Sequence, residues 1–429
     1  MLDIKFIREN KDVVKSAIKN KNRQEVDLDL IIKLYEERVA GRSSLDEINR
    51  KRNEASKNRD VDVGKKLKEE SLGLEAKIKE TEEALKQLLI KIPNIPSPDT
   101  PIGRDASGNK VIRTFGEKPK FDFKPKPHWQ LGEELDVIDN ERAAKVAGAR
   151  FTYLKRDLAL LQFALISYAF GILTNQEKIS EIIDKAGLDI KKNPFIAVVP
   201  PVFAKPEIMS AMARLDPPED KYYIESDNLY LVGSAEHTLG PMHAGELLLE
   251  SEMPIRYVGY STAFRREAGT YGKDTRGILR VHQFDKVEIE SFCLPENSYK
   301  EQDLMVACQE YLMQNLGLHY QVISICTGDM GFPDHRQIDI ETWMPGQDSF
   351  KETHSADLIG GFQPRRLNTK VKNKEGKSEY VHMNDATVFA IGRTLIAIME
   401  NFQQSDGSIL IPEVLRPYVG GKEKIEKRN

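Results

Sequence analysis

The sequence predicts an α+β protein: an antiparallel sheet flanked by helices, preceded by an antiparallel helical coiled-coil arm. Three observations carry this. Two stretches near the amino terminus repeat apolar positions every three or four residues, prolines cluster after them, and the β-rich runs beyond are joined by connections mostly too short for crossover helices.

The first helical track uses Ile31, Leu34, Gly41, Leu45, Ile48 and Ala55, broken mainly by Arg38 and Arg52. The second uses Leu67, Leu74, Ile78, Leu85, Leu88 and Ile92. Each is a heptad track with charges on its other faces. The short polar segment 58–64 between them predicts a hairpin over about 28–92. Helices of this length project roughly 45 Å at about 1.5 Å per residue. The tip and its flanks carry Arg50, Lys51, Arg52, Lys57, Arg59, Lys65, Lys66 and Lys68. Such a hairpin suits a phosphate backbone, and it equally suits a spacer or a dimerisation rod. Pro93, Pro96, Pro98 and Pro101 then make a stiff linker over 93–103 that no helix can continue. Residues 1–105 and 106–429 are the expected domains.

Composition sets outer limits. The 429 residues exceed one compact core, charged residues reach 30% with a net charge of −4, and no run of apolar residues is long enough for a membrane span. Cys293, Cys308 and Cys326 are odd in number and lack CxxC spacing, which argues against a disulfide framework or a zinc knuckle. The amino terminus leads into an amphipathic helix and not into a signal peptide, so a reducing cytoplasm is expected. Beyond residue 105 there is β-rich texture, as in Leu229-Tyr230-Leu231-Val232 and Tyr320-Gln321-Val322-Ile323-Ser324-Ile325. Neither GxGxxG after a strand nor GxxxxGK[ST] occurs, so Rossmann and P-loop nucleotide sites are not supported.

The chemistry concentrates in Phe264-Arg265-Arg266-Glu267-Ala268-Gly269 and in Asp274-Thr275-Arg276-Gly277-Ile278-Leu279-Arg280-Val281-His282-Gln283-Phe284-Asp285-Lys286-Val287-Glu288. Two strand-like halves would flank a loop and show Arg265, Glu267, Phe284 and Glu288 on one face. These offer a cation for phosphate or carboxylate, acceptors for amino groups and a ring for a base to stack on. A structural ion-pair ladder would use the same residues.

This stretch resembles motif 2 of the class II aminoacyl-tRNA synthetases in its bacterial seryl form. Residues 390–401, from Ala390 through Arg393 to Asn401, followed by Ile411-Pro412-Glu413-Val414-Leu415-Arg416-Pro417-Tyr418, resemble motif 3. A weaker motif 1, which forms a dimer interface in the family, ends near Pro200-Pro201. The amino-terminal Leu2-Asp3-Ile4-Lys5-Phe6, the hairpin, the linker and Cys326-Thr327-Gly328-Asp329-Met330-Gly331 fall in family order, so the likeness covers nearly the whole chain.

The resemblance implies a homodimeric serine–tRNA ligase that uses ATP and Mg2+ to activate L-serine and charge tRNA(Ser), with tRNA(Sec) as a further acceptor. By position, Arg265 and Arg393 would be catalytic, on the α- and γ-phosphates. Arg266, Glu267, Val281, Phe284, Glu352, Thr353, His354 and Ser355 would complete the ATP site, with Glu352 and Ser355 at the magnesium. Ser234, Ala235, Glu236, Arg265, Glu288, Asp385 and Thr387 would hold the amino acid. An amino-acid carboxylate is ionised at neutral pH, so its attack on phosphorus needs alignment and charge compensation and no general base.

Some positions depart from the family pattern. Ser234-Ala235-Glu236 stands for Thr-x-Glu, and His237-Thr238 follows in place of Val-Pro. Glu352-Thr353-His354-Ser355-Ala356-Asp357-Leu358 stands for Glu-x-Ser-Ser-Cys-Ser-Asn, and Asp385-Ala386-Thr387 for Asn-Gly-Ser. Asp385 would pair with a substrate ammonium more strongly than asparagine does. The spacing of His237, His354, Asp357 and Asp385 matches no compact zinc motif, and zinc is not expected. The departures are read as compensating exchanges in a branch that keeps serine. Two other readings remain: an adenylating paralogue with another amino acid or acceptor, which should lack the basic arm, and a non-catalytic RNA-binding paralogue, which should have lost its nucleotide residues.

Overall fold

The structure is a computed structural model that describes residues 1–215, 217–267 and 276–427. It divides into two compact units, Met1–Ile95 and Pro96–Asn429.

In the first unit, helices α1 (Ile4–Glu9) and α2 (Lys11–Asn20) precede the long pair α3 (Leu28–Lys57) and α4 (Val61–Leu89). Ile7, Val14, Ile18, Leu28, Ile31, Leu85, Leu89 and Ile92 are buried together and tie the four helices at one end. Further along the pair, Ile48, Ala55, Ser71 and Ile78 are buried. Gly41 lets the helices approach, since a β-carbon there would lie 3.0 Å from Ile78 Cγ1. Arg38, which interrupts the heptad track, bonds across the pair to Glu82 at 2.9 Å, and Arg42 joins it at 2.8 Å. The hairpin turn is shorter than its polarity suggests. Asp60 accepts a hydrogen bond from the Val63 N–H and caps α4, so Val61 to Gly64 form its first turn. The basic residues of the tip are exposed.

The second unit is built on an eight-stranded sheet. In chain order its strands are β1 (Lys110–Phe115), β2 (Ile196–Val198), β3 (Ile255–Phe264), β4 (Gln283–Cys293), β5 (Tyr320–Ser324), β6 (Arg336–Met344), β7 (Ser349–Gly360) and β8 (His382–Ala390). Across the sheet the order is β1-β5-β6-β7-β8-β4-β3-β2. Every pairing is antiparallel except that of edge strand β2 with β3. Leu229–Leu231 is a strand of a small separate sheet. Residues 96–105 pack within this unit: the Ser97 N–H donates to His335 O at 2.6 Å, and the Gly103 N–H to Thr327 Oγ1 at 3.3 Å. Gly328 is required here, because a β-carbon would lie 2.3 Å from Arg104 O.

One face of the sheet carries helices α5 (Arg156–Leu173), α6 (Ser298–Asn315) and α7 (Ile391–Asn401). Among the described residues α5 is the helix long and apolar enough to cross a membrane. Its Leu158, Leu161, Ala164, Leu165, Ala169 and Leu173 instead belong to the main core with Ile289, Val322, Ile340 and Leu395. Two glutamines of α6 hold the sheet by its backbone: Gln302 donates to Ala356 O, and Gln309 to both Ser355 O and Thr387 O, each at 2.8 Å.

A buried ion pair fastens α6 to β3. Arg256 meets Glu301 at 2.8 and 2.6 Å and donates to Asn193 O at 2.6 Å, while Ser291 donates to the same carboxylate. Replacing Arg256 by Leu leaves Glu301 charged and unmatched in the core. Urea denaturation is expected to show a loss of about 3–5 kcal/mol, with much of it recovered when Glu301 is also replaced by Leu.

Candidate active site

On the opposite side of the sheet lies a cavity of about 310 Å³. Arg265, Glu267, Val281, Phe284, Glu352, Thr353, Ser355, Thr387, Glu236 and Arg393 all line it. Strand alternation explains the grouping. Phe284, Lys286 and Glu288 project the same way from β4, as do Thr353, Ser355 and Asp357 from β7. Glu352 joins the second set because the register shifts between Ile340 and Glu341 opposite it.

At one end of the cavity the charges are largely positive. Strand β3 stops at Phe264, so Arg265 and Glu267 stand just beyond it. Arg265 donates from Nε to Gly233 O at 3.1 Å, and its guanidinium carbon is 5.3 Å from the Phe284 ring centre. Glu267, with a left-handed φ of 52°, meets Arg280 at 3.2 Å. Arg393 sits in the first turn of α7 and reaches the backbone and carboxylate of Glu352 at 2.9 and 3.1 Å. Burial opposes the charge of Glu352, but Arg393, then Arg265, Lys286 and Arg280, hold its carboxyl below the ordinary range. Residues 268–275, which include the motif segments Ala268-Gly269 and Asp274-Thr275, lie outside the described residues.

The other end is carboxylate-rich. Glu288 is fully buried, and its Oε1 accepts from Ser234 at 2.6 Å and Thr387 at 3.3 Å and contacts Lys286 Nζ. Its Oε2 is buried and has no partner among the described residues. Arg214 lies 2.7 Å from Glu236 and 3.6 Å from Asp385. Burial works against the Glu236 charge, yet Arg214, His237 and Lys286 keep its carboxyl well below the usual range. Burial and neighbouring acids push Asp385 and Asp357 well above it.

Residues 1–96 match the seryl-tRNA synthetase N-terminal domain, and residues 222–402 match the tRNA synthetase class II core domain (G, H, P, S and T). A serine–tRNA ligase of Coprothermobacter proteolyticus is 38% identical over 98% of this chain and all of its own. The chain belongs to the seryl-tRNA synthetase family. Among solved structures, the seryl-tRNA synthetase of Pyrococcus horikoshii complexed with ATP matches with a TM-score of 0.86 at 34% identity, covering all of both chains. The cytoplasmic serine–tRNA ligase of Naegleria fowleri in complex with AMP matches at 0.83 and 30%, over all of this chain and 99% of the other.

Of the family-position residues, ten line the cavity. Ser234, Glu288 and Asp385 lie behind its wall, joined to it through Lys286, Thr387 and Arg214. Three point elsewhere. Ala235 is buried at the start of the short helix Glu236–Leu239. Arg266 donates its N–H to Asp220 O and stacks its guanidinium 5.0 Å from the Tyr222 ring centre. His354 turns to the helix-covered face, against Phe389 and 2.8 Å from Thr353 Oγ1, since alternation sends it opposite to Ser355. His237 is also engaged locally, accepting the Gly233 N–H at Nδ1. Residues the reading missed include Arg214, Lys286, Arg280, Asp329, Asp334 and Gln337, all in the wall. Lys286 was detectable from the alternation of Phe284 and Glu288, whereas Arg214 has no local sequence signal.

Burial lowers the His354 imidazole to about 3, so it stays neutral in the fold while the unfolded chain takes up a proton below about pH 6.5. That contribution is therefore lost as pH falls from 6.5 toward 3. Between pH 7 and pH 5 the native protein is expected to lose roughly 2 kcal/mol more than a His354→Gln variant in urea denaturation.

Proposed function

We propose that the protein is an ATP-dependent serine–tRNA ligase that forms seryl-adenylate and passes the seryl group to the 3′ end of tRNA(Ser). The observation that carries this is the meeting of Arg265 and Arg393 in one cavity with Glu352, while behind the wall at the other end, next to Thr387, lies a Glu288 oxygen with no partner among the described residues. The ATP and AMP complexes of the two solved relatives support a nucleotide there.

In this reading adenine stacks on Phe284, its amino group meets Glu267, and the α-phosphate and serine carboxylate share Arg265. The serine ammonium pairs with Glu236 and Asp385, which Arg214 holds in place. The serine hydroxyl donates to Glu288 Oε2 and meets Thr387, supplying the bond that the buried oxygen lacks. A carboxylate oxygen of serine bonds to the α-phosphorus, and the bond to the pyrophosphate oxygen breaks. Charge on the departing pyrophosphate meets Arg393. In the second step a ribose hydroxyl of the terminal adenosine attacks the acyl carbon and AMP leaves.

Among the described residues no three His, Cys, Asp or Glu side chains are grouped to hold a metal by themselves. One carboxylate, Glu352, and one hydroxyl, Ser355, fit a magnesium ion that keeps phosphate oxygens and water as its other ligands. Bound, it would offset phosphate charge.

The exposed lysines and arginines at the tip of the arm are the proposed contact with tRNA(Ser), and tRNA(Sec) is a second acceptor to assay. Exposed Leu160, Phe163, Ile196 and Val199 support a homodimer. Three unpaired, buried cysteines support a reducing, cytoplasmic setting.

Arg265→Ala is expected to lower serine-dependent ATP–pyrophosphate exchange by about a thousandfold while tRNA binding is largely kept. Exchange that survives the substitution would remove Arg265 from this role. Replacing Arg52, Lys57 and Arg59 together by Glu is expected to raise the KM for tRNA roughly tenfold and leave exchange intact. An unchanged KM would detach the arm from tRNA.

A further inference from the structure

Two cross-strand rows run side by side on the cavity-facing side of the sheet. The first passes from Glu288 on β4 through Thr387 and Ser355 to Asp339. The second passes from Glu290 on β4 through Asp385 on β8 and Asp357 on β7 to Gln337 on β6, each directly opposite the next.

The rows differ in how their acids are matched. Glu288 has Ser234, Thr387 and Lys286. In the second row, Glu290 is 1% exposed and neither of its oxygens has a partner among the described residues. Asp357 Oδ1 and Asp385 Oδ2 also make no hydrogen bond among the described residues. Arg214, the nearby guanidinium, is matched first by Glu236 at 2.7 Å and only then by Asp385 at 3.6 Å. Acceptors therefore outnumber donors along a buried row whose Asp357 opens to the cavity.

We propose that this row is a side-chain subsite for an ammonium group, and that the protein adenylates a short L-diamino acid as well as serine. The inference rests on the amino acid lying at this end of the cavity, as proposed above. A hydroxyl donates one hydrogen bond and an ammonium three, so only the latter serves several carboxylates. Neighbouring rows stand two residues apart along a strand, about 6.8 Å. A side chain one bond longer than serine's carries its ammonium about 1.5 Å further along the cavity, toward the Asp357 carboxylate that opens into it. Burial and neighbouring acids hold Glu290 well above the usual carboxyl range, and an incoming cation supplies the missing countercharge. The chemistry is that of serine: a carboxylate oxygen bonds to the α-phosphorus, and pyrophosphate leaves with the electron pair of the broken bond. The side-chain ammonium keeps its protons.

The test is ATP–pyrophosphate exchange by the full chain with L-serine, L-2,3-diaminopropionate, L-2,4-diaminobutyrate and the apolar L-2-aminobutyrate. A diamino acid is expected to give exchange well above L-2-aminobutyrate. Asp357→Asn and Glu290→Gln are expected to lower its kcat/KM roughly tenfold or more and serine's by less than about threefold, with Asp357→Glu restoring it. Serine exchange without diamino-acid exchange overturns this inference alone. Exchange with neither overturns the serine–tRNA ligase reading as well. Equal losses for both substrates in variants that still melt cooperatively remove the row from the subsite. Should a variant fail to fold, the wild-type comparison decides.

Discussion

Glu288 is a carboxylate in the middle of a sheet with no access to water, and the carboxylate-rich end of the cavity is arranged around keeping it there. An unmatched charge at such depth costs several kcal/mol. Lys286, one alternation earlier on the same strand, brings the countercharge, and Ser234 and Thr387 arrive from a loop and from β8 with hydroxyl donors. Their positions depend in turn on the other face of the sheet. Gln309 of α6 holds the carbonyls of Ser355 and Thr387 from behind, so the packed helix fixes the strands whose outward side chains form the polar wall. Core and site are two faces of one set of backbone hydrogen bonds.

The same sheet separates charge along the cavity. Arg265, Arg280 and Arg393 gather around Glu352, while Glu236, Asp357 and Asp385 gather around Arg214. In the proposed reading this field alone would orient a zwitterionic amino acid between them, carboxylate toward Arg265 and ammonium toward Glu236. That orientation would present the nucleophilic oxygen to the phosphates without any base, so that alignment would carry the proposed reaction.

What could be read from the sequence follows from how local each feature is. The helical arm was legible because its period repeats over many turns, and its turn was overestimated because Val61, Val63 and Gly64 look unhelical beside the stronger cap of Asp60. The grouping of Arg265, Glu267, Val281 and Phe284 was legible because they belong to one motif, and all four line one cavity. The parallel edge strand β2 was not, since its pairing with β3 joins segments far apart in the chain. His354 was misplaced because alternation beyond the register shift in β7 turns it to the core, and a shift of that kind leaves no mark in composition. Arg214 follows the left-handed Ala213, in a loop with no pattern to announce it.

Asp357 and Asp385 looked like scattered departures from the family pattern, yet they face each other across β7 and β8, and Glu290 extends the line on β4. Their effects on one another are therefore not independent. A single aspartate in place of asparagine could be absorbed by Arg214. A row of three acids, two of them in the direct reach of no cation among the described residues, cannot be absorbed by exchange among themselves, because each added carboxyl raises the cost of ionising the next. Either the row carries protons or it meets a cation from outside, and only the second alternative uses the opening that Asp357 makes into the cavity.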